Sequence, residues 1–225
     1  MKPKILIVGE DSFDRELPHF IVPCDYGTAV GQAGGNPLVV LDARHPEDYL
    51  PLGDGLLLTG GNDIHCAWYG EVYQNAADMP ALSRSREMLE FTLCHLFLQA
   101  GKPVFGIGRG MQVLNVALGG TLHRHIDGHR TVSADGVLGF CRHPLEVLPS
   151  HPLSTLLPDD ANSCHHQAVD VLGKDLVAVA QSGDIVEAIA HKDLPAFGVQ
   201  WHPERDLEDN RLFDYFVQLC KEKGQ

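Results

Sequence analysis

Nowhere in the chain do about 18 apolar residues run together, the length a helix needs to cross a bilayer. The opening MKPKILIVGE offers only "ILIV" before Gly9 and Glu10, too short for a signal-peptide core. A soluble protein without a visible export signal is therefore expected. Basic residues are scarce and scattered: 17 Lys and Arg stand against 30 Asp and Glu, a formal charge of −13. Such a surface repels phosphate backbones and anionic lipid, so neither nucleic acid nor a membrane surface is an expected partner. Six cysteines, at 24, 66, 94, 141, 164 and 220, include no Cys-x-x-Cys pair. That argues against zinc ribbons, thioredoxin-type motifs and secreted disulfide frameworks, and a reducing cytoplasm is the expected compartment. Internal repeats and low-complexity stretches are also missing.

What is present reads as one α/β domain over 1–225, a length at which such domains commonly remain undivided. Short apolar runs without polar alternation, "KILIVG", "PLVVL", "GLLLTG" and "PVFGIG", each end at Gly or Asp and alternate with helical-looking stretches. This is the pattern of parallel strands buried on both faces. From Ser83 to Ala100 the spacing predicts a helix with Met88, Leu89, Thr92, Leu93, Leu96 and Phe97 on one face, stopped by Gly101. After about Val132, "HPLEVL", "LVAVAQ", "IVEAIA" and "AFGVQW" read as strands joined by turns, and a last helix is expected over roughly 210–222.

The segment "VFGIGRGMQ" at 104–112 runs from a strand through alternating glycines into a helix. A dinucleotide fingerprint needs glycine at 106, 108 and 111, but residue 111 is methionine. A phosphate loop needs Gly-Lys-Ser/Thr at the helix start and finds Met-Gln. There remain a plain glycine-rich turn and a nucleophile elbow, G-x-Nuc-x-G, in which the central residue is held at a strained backbone angle at the helix N-terminus. Strain of about 1–3 kcal/mol for a residue with a Cβ is small for glycine, so Gly108 keeps such a turn while deleting its chemistry. Further on, "FGVQWHPE" at 197–204 places His202 and Glu204 two residues apart, on one side of an extended segment. A carboxylate beside an imidazole fixes its tautomer and stabilises its charged form, the base and orienter of a Cys-His-Glu triad.

With these segments the chain resembles the class-I glutamine amidotransferases, and within them the gamma-glutamyl-gamma-aminobutyrate hydrolase-like branch of peptidase C26 type. Five stretches stand in family order: "AVGQAGGNPLVV", "GLLLTGGNDI" with "YGE" at 69–71, "KPVFGIGRGMQVLNVALGGTL", "NSCHHQAVD" and "FGVQWHPE". The resemblance implies a flavodoxin-like α/β fold with a mostly parallel central sheet flanked by helices, and an antiparallel extension from the second half. It implies His202 as base and Glu204 as its orienter. The oxyanion-hole amides would be those of Gly61 and Arg109, Gln112 would face the glutamyl group, and His165, His166 and Gln167 would line the pocket. The family motif is G-I-C-R-G, and Gly108 stands where its cysteine belongs.

The implied reaction is hydrolysis of a gamma-glutamyl amide to glutamate and an amine or ammonia. Without a thiolate no acyl-enzyme forms, and three accounts stay open. The chain is altered at 108; or the thiol was lost naturally, leaving a gamma-glutamyl binder or a scaffold; or replacement chemistry runs. In the last, His202 activates a water, since oxyanion hole and binding alone leave roughly 10³–10⁴-fold catalysis in triad enzymes. Cys164 as a substitute nucleophile reads less well than as a buried structural cysteine. A glutaminase subunit serving a separate synthetase is a further alternative, less favoured because no synthetase is fused. His123, His125 and His129 with Asp127 have a spacing that suits a metal, but solvated histidines are the expectation. Trp68 and Tyr69 are expected at the pocket rim and Glu71 in a turn. No cofactor or resident metal is expected. The partners are a small gamma-glutamyl compound and, as an open option, a second copy in a homodimer.

Overall fold

The computed structural model describes residues 1–14, 17–41, 44–73, 84–133, 135 and 137–223. The first half contains β1 (Lys4–Val8), the antiparallel pair β2 (Glu10–Asp14) and β3 (Leu17–Ile21), α1 (Cys24–Gln32), β4 (Asn36–Val40), β5 (Gly55–Leu58), α2 (Arg84–Gln99), β6 (Val104–Ile107) and α3 (Arg109–Ala117). The second half is mostly strand: β7 (Leu122–His123), β8 (Thr131–Val132), β9 (Leu138–Gly139), β10 (Cys141–Pro144), β11 (Glu146–Val147), β12 (Asp160–Ser163), β13 (Ala168–Val169), β14 (Leu176–Ser182), β15 (Ile185–His191) and β16 (Ala196–Val199), closed by α4 (Arg211–Lys223).

The main sheet runs in the order β11-β14-β15-β16-β6-β5-β1-β4, with β13 and β7 branching from β15. From β16 to β4 every pairing is parallel, and from β16 to β11 every pairing is antiparallel. The four apolar runs of the first half thus form a parallel core, and the second half supplies the antiparallel extension. Alternation along β1 explains why the inner strands are apolar throughout, whereas β4, expected to be buried on both faces, is the sheet's edge and leaves Val39 exposed. Ile5 and Ile7 enter one core layer with α1 and α4, while Leu6 and Val8 enter the other with α2 and α3. Phe105 and Phe197, paired in register across β6 and β16, stack with centroids 4.5 Å apart and carry Phe213 and Phe216 of α4. Among the described residues no helix is long and apolar enough to cross a membrane.

The α2 helix departs from the expected face. Leu89, Leu93 and Phe97 are buried as anticipated, but Met88 is exposed and Thr92 and Leu96 are only partly covered. The buried face is rotated toward Arg86, Glu90, Cys94 and Leu98, because an ion pair between Arg86 and Glu90 lies within it. A count of apolar spacing misses a helix face that buries charge. The expected start at Ser83 lies outside the described residues.

Candidate active site

Gly108 sits between β6 and α3 with φ 56° and ψ −115°, at the N-cap of the helix. A backbone with positive φ is disfavoured for any residue with a Cβ. The flanking glycines are required by close approach. A Cβ at Gly106 would collide with the Gly110 carbonyl, and one at Gly110 with the backbone of Leu58. A Cβ at Gly108 meets no such obstacle. It would stand 3.4 Å from Cε1 and Nε2 of His202 and 3.7 Å from Cα of Gly60. The turn has elbow geometry, and a side chain there would point at an imidazole nitrogen.

That imidazole is held from behind. Nδ1 of His202 lies 2.7 Å from Oε1 of Glu204, whose carboxylate is buried. The backbone carrying His202 is fixed by Asn162 of β12, which accepts from the His202 N–H at 2.9 Å and donates to its carbonyl at 3.0 Å. The Tyr26 hydroxyl of α1 accepts from the N–H of Gly60 at 2.9 Å. Burial pushes this phenol well above its usual range and the neighbouring Glu204 carboxylate adds to the shift, so Tyr26 stays neutral.

Two backbone amides face the same space for reasons legible in their peptide planes. The carbonyl of Gly60 accepts from Nη2 of Arg86 at 2.7 Å, and in a trans peptide the following N–H, that of Gly61, points the opposite way. The carbonyl of Gly108 accepts from the amides of Met111 and Gln112, so the N–H of Arg109 points out of the helix N-terminus. Beneath both amides runs a buried chain of charge. Arg86 bonds Glu90 at 2.9 Å, and Arg109 pairs with the other oxygen of the same carboxylate. Burial lowers the Arg109 guanidinium from its usual range, with Glu90 opposing that shift. The side chain of Arg109 is thus engaged in the core while its amide faces the cleft.

Gly61, Gly108, Arg109, Gln112, His165, His166, Gln167 and His202 all line one pocket, with Glu204 directly behind His202. The catalytic, oxyanion and substrate-binding positions assigned from the sequence thus lie together at one place. Gln112 donates through Nε2 to the Gln167 carbonyl and to Oε1 of Gln200, each at 3.1 Å, which holds its side chain against free rotation. His165 contacts the same Gln167 carbonyl through Nδ1 at 2.9 Å. His166 lies 2.9 Å from Asp63 and 3.2 Å from His125.

Other expectations are corrected. Trp68 does not form the pocket rim. It stacks on Phe91 of α2 at 4.1 Å and donates to Glu87, while Tyr69 is buried, so both serve the packing of α2. Cys164 is not sealed in the core but half-covered at the pocket wall, where burial raises its thiol pKa and Arg130 partly opposes. His123 and His125 are exposed as expected, whereas His129 is turned inward onto Glu187. Asn162 opens the motif "NSCHHQ", yet nothing in its sequence position assigns it a role. Tyr26 and the Arg86-Glu90 pair leave no signal beyond their residue types, since their partners are distant in the chain.

The Peptidase C26 family model matches residues 9–204. The Mycobacterium tuberculosis protein Rv2859c, named as a candidate glutamine amidotransferase, is 39% identical over 224 residues, covering 91% of this chain and 69% of that protein. Protein NtpR of Enterococcus hirae is 37% identical, covering 95% of each chain. Gamma-glutamyl-gamma-aminobutyrate hydrolase PuuD of Escherichia coli is 32% identical over 219 residues, covering 87% of this chain and 85% of that one. In structure, a Thermoplasma acidophilum protein named as a candidate GMP synthase component superposes with a TM-score of 0.67 at 16% identity, over 99% of this chain and 96% of that one, a likeness of fold. The chain belongs to the peptidase C26 family, among the class-I glutamine amidotransferase-like proteins.

Proposed function

We propose that the pocket binds gamma-glutamyl amides, and that it is a hydrolase site disarmed at position 108. The observation that carries this reading is the direction of the missing side chain, whose Cβ would stand 3.4 Å from Nε2 of His202. A thiol there would pass its proton to Nε2, attack the gamma-carbonyl carbon and leave an oxyanion facing the amides of Gly61 and Arg109. The protonated imidazole, stabilised by Glu204, would then return the proton to the departing amine, and water would release glutamate from the acyl-enzyme. With glycine at 108 the first bond cannot form, so the chain holds its ligand without thiol-dependent turnover. The substrate class is supported by the relative named for gamma-glutamyl-gamma-aminobutyrate hydrolysis.

The test is glutamate release from a panel of gamma-glutamyl amines and glutamine, run on the chain and on Gly108→Cys, with calorimetric binding alongside. Saturable binding by both and release only by the cysteine variant is the expected result. Release by the unaltered chain, blocked by His202→Ala, would replace the disarmed reading with water activation. Absence of binding and of release in both proteins would sink the assignment of the pocket.

A further inference from the structure

Behind the wall that carries His165, four side chains from four separate segments converge. His129 precedes β8, His143 lies on β10, His165 follows β12 and Glu187 stands on β15. Their donor atoms all fall within 4.8 Å of one another. Glu187 is fully buried, and the three histidine side chains are about nine-tenths covered. Among the described residues, Nδ1 of His129, Nε2 of His143, Nε2 of His165 and both oxygens of Glu187 have no hydrogen-bond partner. Polar atoms buried in this way normally find one, so a cluster of five in one spot calls for a ligand.

The tautomers identify that ligand's charge. Nδ1 of His165 lies 2.9 Å from the Gln167 carbonyl, and Nδ1 of His143 lies 3.3 Å from the Pro144 carbonyl. A carbonyl only accepts, so both Nδ1 atoms carry the proton and in the neutral ring both Nε2 atoms present a lone pair. Those lone pairs face Oε1 of Glu187 at 3.4 and 3.6 Å, with Nδ1 of His129 at 3.1 Å from the same oxygen. Lone pairs converging on a carboxylate repel unless a proton or a metal cation lies between them, and none of the three nitrogens has the geometry of a good hydrogen bond to Glu187. For ligand bonds near 2.0–2.1 Å, a tetrahedral ion sets its ligand atoms about 3.4 Å apart, close to the 3.1–3.6 Å that separates the three nitrogens from Oε1 of Glu187. Imidazoles whose second nitrogen donates to a carbonyl are also the usual support of a metal-bound histidine.

We propose that His129, His143, His165 and Glu187 bind one divalent ion of the zinc type. Three imidazole nitrogens and one carboxylate oxygen suit such an ion, and four protein ligands leave no open position for catalysis. The ion ties β10, β15 and the loops at 129 and 165 together. Through the Gln167 carbonyl, which receives both His165 and Gln112, it fixes one wall of the gamma-glutamyl pocket. Of His123, His125 and His129, whose spacing with Asp127 suits a metal but which are expected to be solvated, only His129 belongs to the cluster.

The experiment uses the full chain without a histidine tag, stripped with chelator and dialysed against zinc, with metal read by plasma mass spectrometry. One zinc per chain is expected, together with a rise in melting temperature and, after cobalt loading, the intense visible bands of four-coordinate cobalt. His143→Asn and Glu187→Gln should weaken binding by more than the roughly 10- to 100-fold that loss of an outer-shell partner costs. His123→Asn with His125→Asn should retain the full equivalent. His143 is the least buried of the histidines, so its variant reports even where Glu187→Gln does not fold. Less than about a tenth of an equivalent in the folded chain overturns the proposal. So does retention of the ion by folded His143→Asn, or cobalt bands unchanged in that variant.

Discussion

Asn162 holds the backbone of His202 from both sides, accepting from its N–H at 2.9 Å and donating to its carbonyl at 3.0 Å. The ring therefore keeps its place opposite position 108 through a side chain forty residues earlier in the sequence. In the Gly108→Cys background, Asn162→Ala should lower kcat by about 10- to 100-fold, the scale of misplacing a catalytic group by an ångström or less. KM should change little, because Asn162 does not line the pocket. Steady-state kinetics on the pair of variants decides it: a rise in KM with kcat unchanged would assign Asn162 to substrate binding.

Much of this arrangement is legible in the sequence because its parts are local. The elbow needs glycine at 106 and 110 on either side of position 108, and the His202-Glu204 pair is two residues apart, so each carries its geometry within a short segment. The parallel strands are legible for the same reason, since burial on both faces writes a continuous apolar run. Arg86 and Glu90 fall outside the apolar stripe that spacing marks on α2, yet they are buried under the Thr59-Gly60 turn. His129, His143, His165 and Glu187 come from segments up to 58 residues apart in sequence, brought together by β15 of the antiparallel extension and the separate β10-β12 pair. No spacing rule within a single segment reaches that far.

Glu90 shares its two oxygens between Arg86 and Arg109 and has no exposed surface. Removing its charge while keeping its shape leaves two buried guanidiniums facing an amide. Glu90→Gln should therefore destabilise the fold by about 3–5 kcal/mol, the usual cost of breaking a buried pair from one side. Urea denaturation measures this directly, and a change below about 1 kcal/mol would mean that water reaches the pair.

Cys164 is the thiol nearest in kind to the one missing at 108, since it lines the same pocket. Its burial raises its pKa, Arg130 works against that shift and Cys141 adds to it. A raised pKa leaves little thiolate at neutral pH, the opposite of what an activated nucleophile requires. Alkylation of Cys164 by iodoacetamide, followed by peptide mass spectrometry, should accelerate with pH past about 8.5 without levelling off. Cys164→Ala should leave glutamate release by Gly108→Cys within about two-fold of its parent. A plateau in alkylation near neutral pH, or loss of release in a folded Cys164→Ala, would restore the thiol as a candidate nucleophile.

Restoring a side chain at 108 sets two effects against each other. The space is there, because the new Cβ would touch His202 and Gly60 only at ordinary contact distances of 3.4–3.7 Å. The backbone is not indifferent, because φ 56° with ψ −115° is a conformation that glycine adopts freely and other residues do not. Strain of that kind costs about 1–3 kcal/mol, partly offset by the smaller entropy of the unfolded chain once glycine is gone. Gly108→Cys should thus be less stable than the chain itself by about 1 kcal/mol. Gly108→Ala should lose a similar amount, since the strain resides in the Cβ and not in the sulfur. Equilibrium urea denaturation of the three proteins separates the terms. Equal losses in both variants locate the cost in the backbone angle, whereas a loss in cysteine alone would locate it in the contact between sulfur and His202. A gain in both would remove position 108 from the elbow and, with it, the reason for reading His202 as a base aimed at an absent thiol.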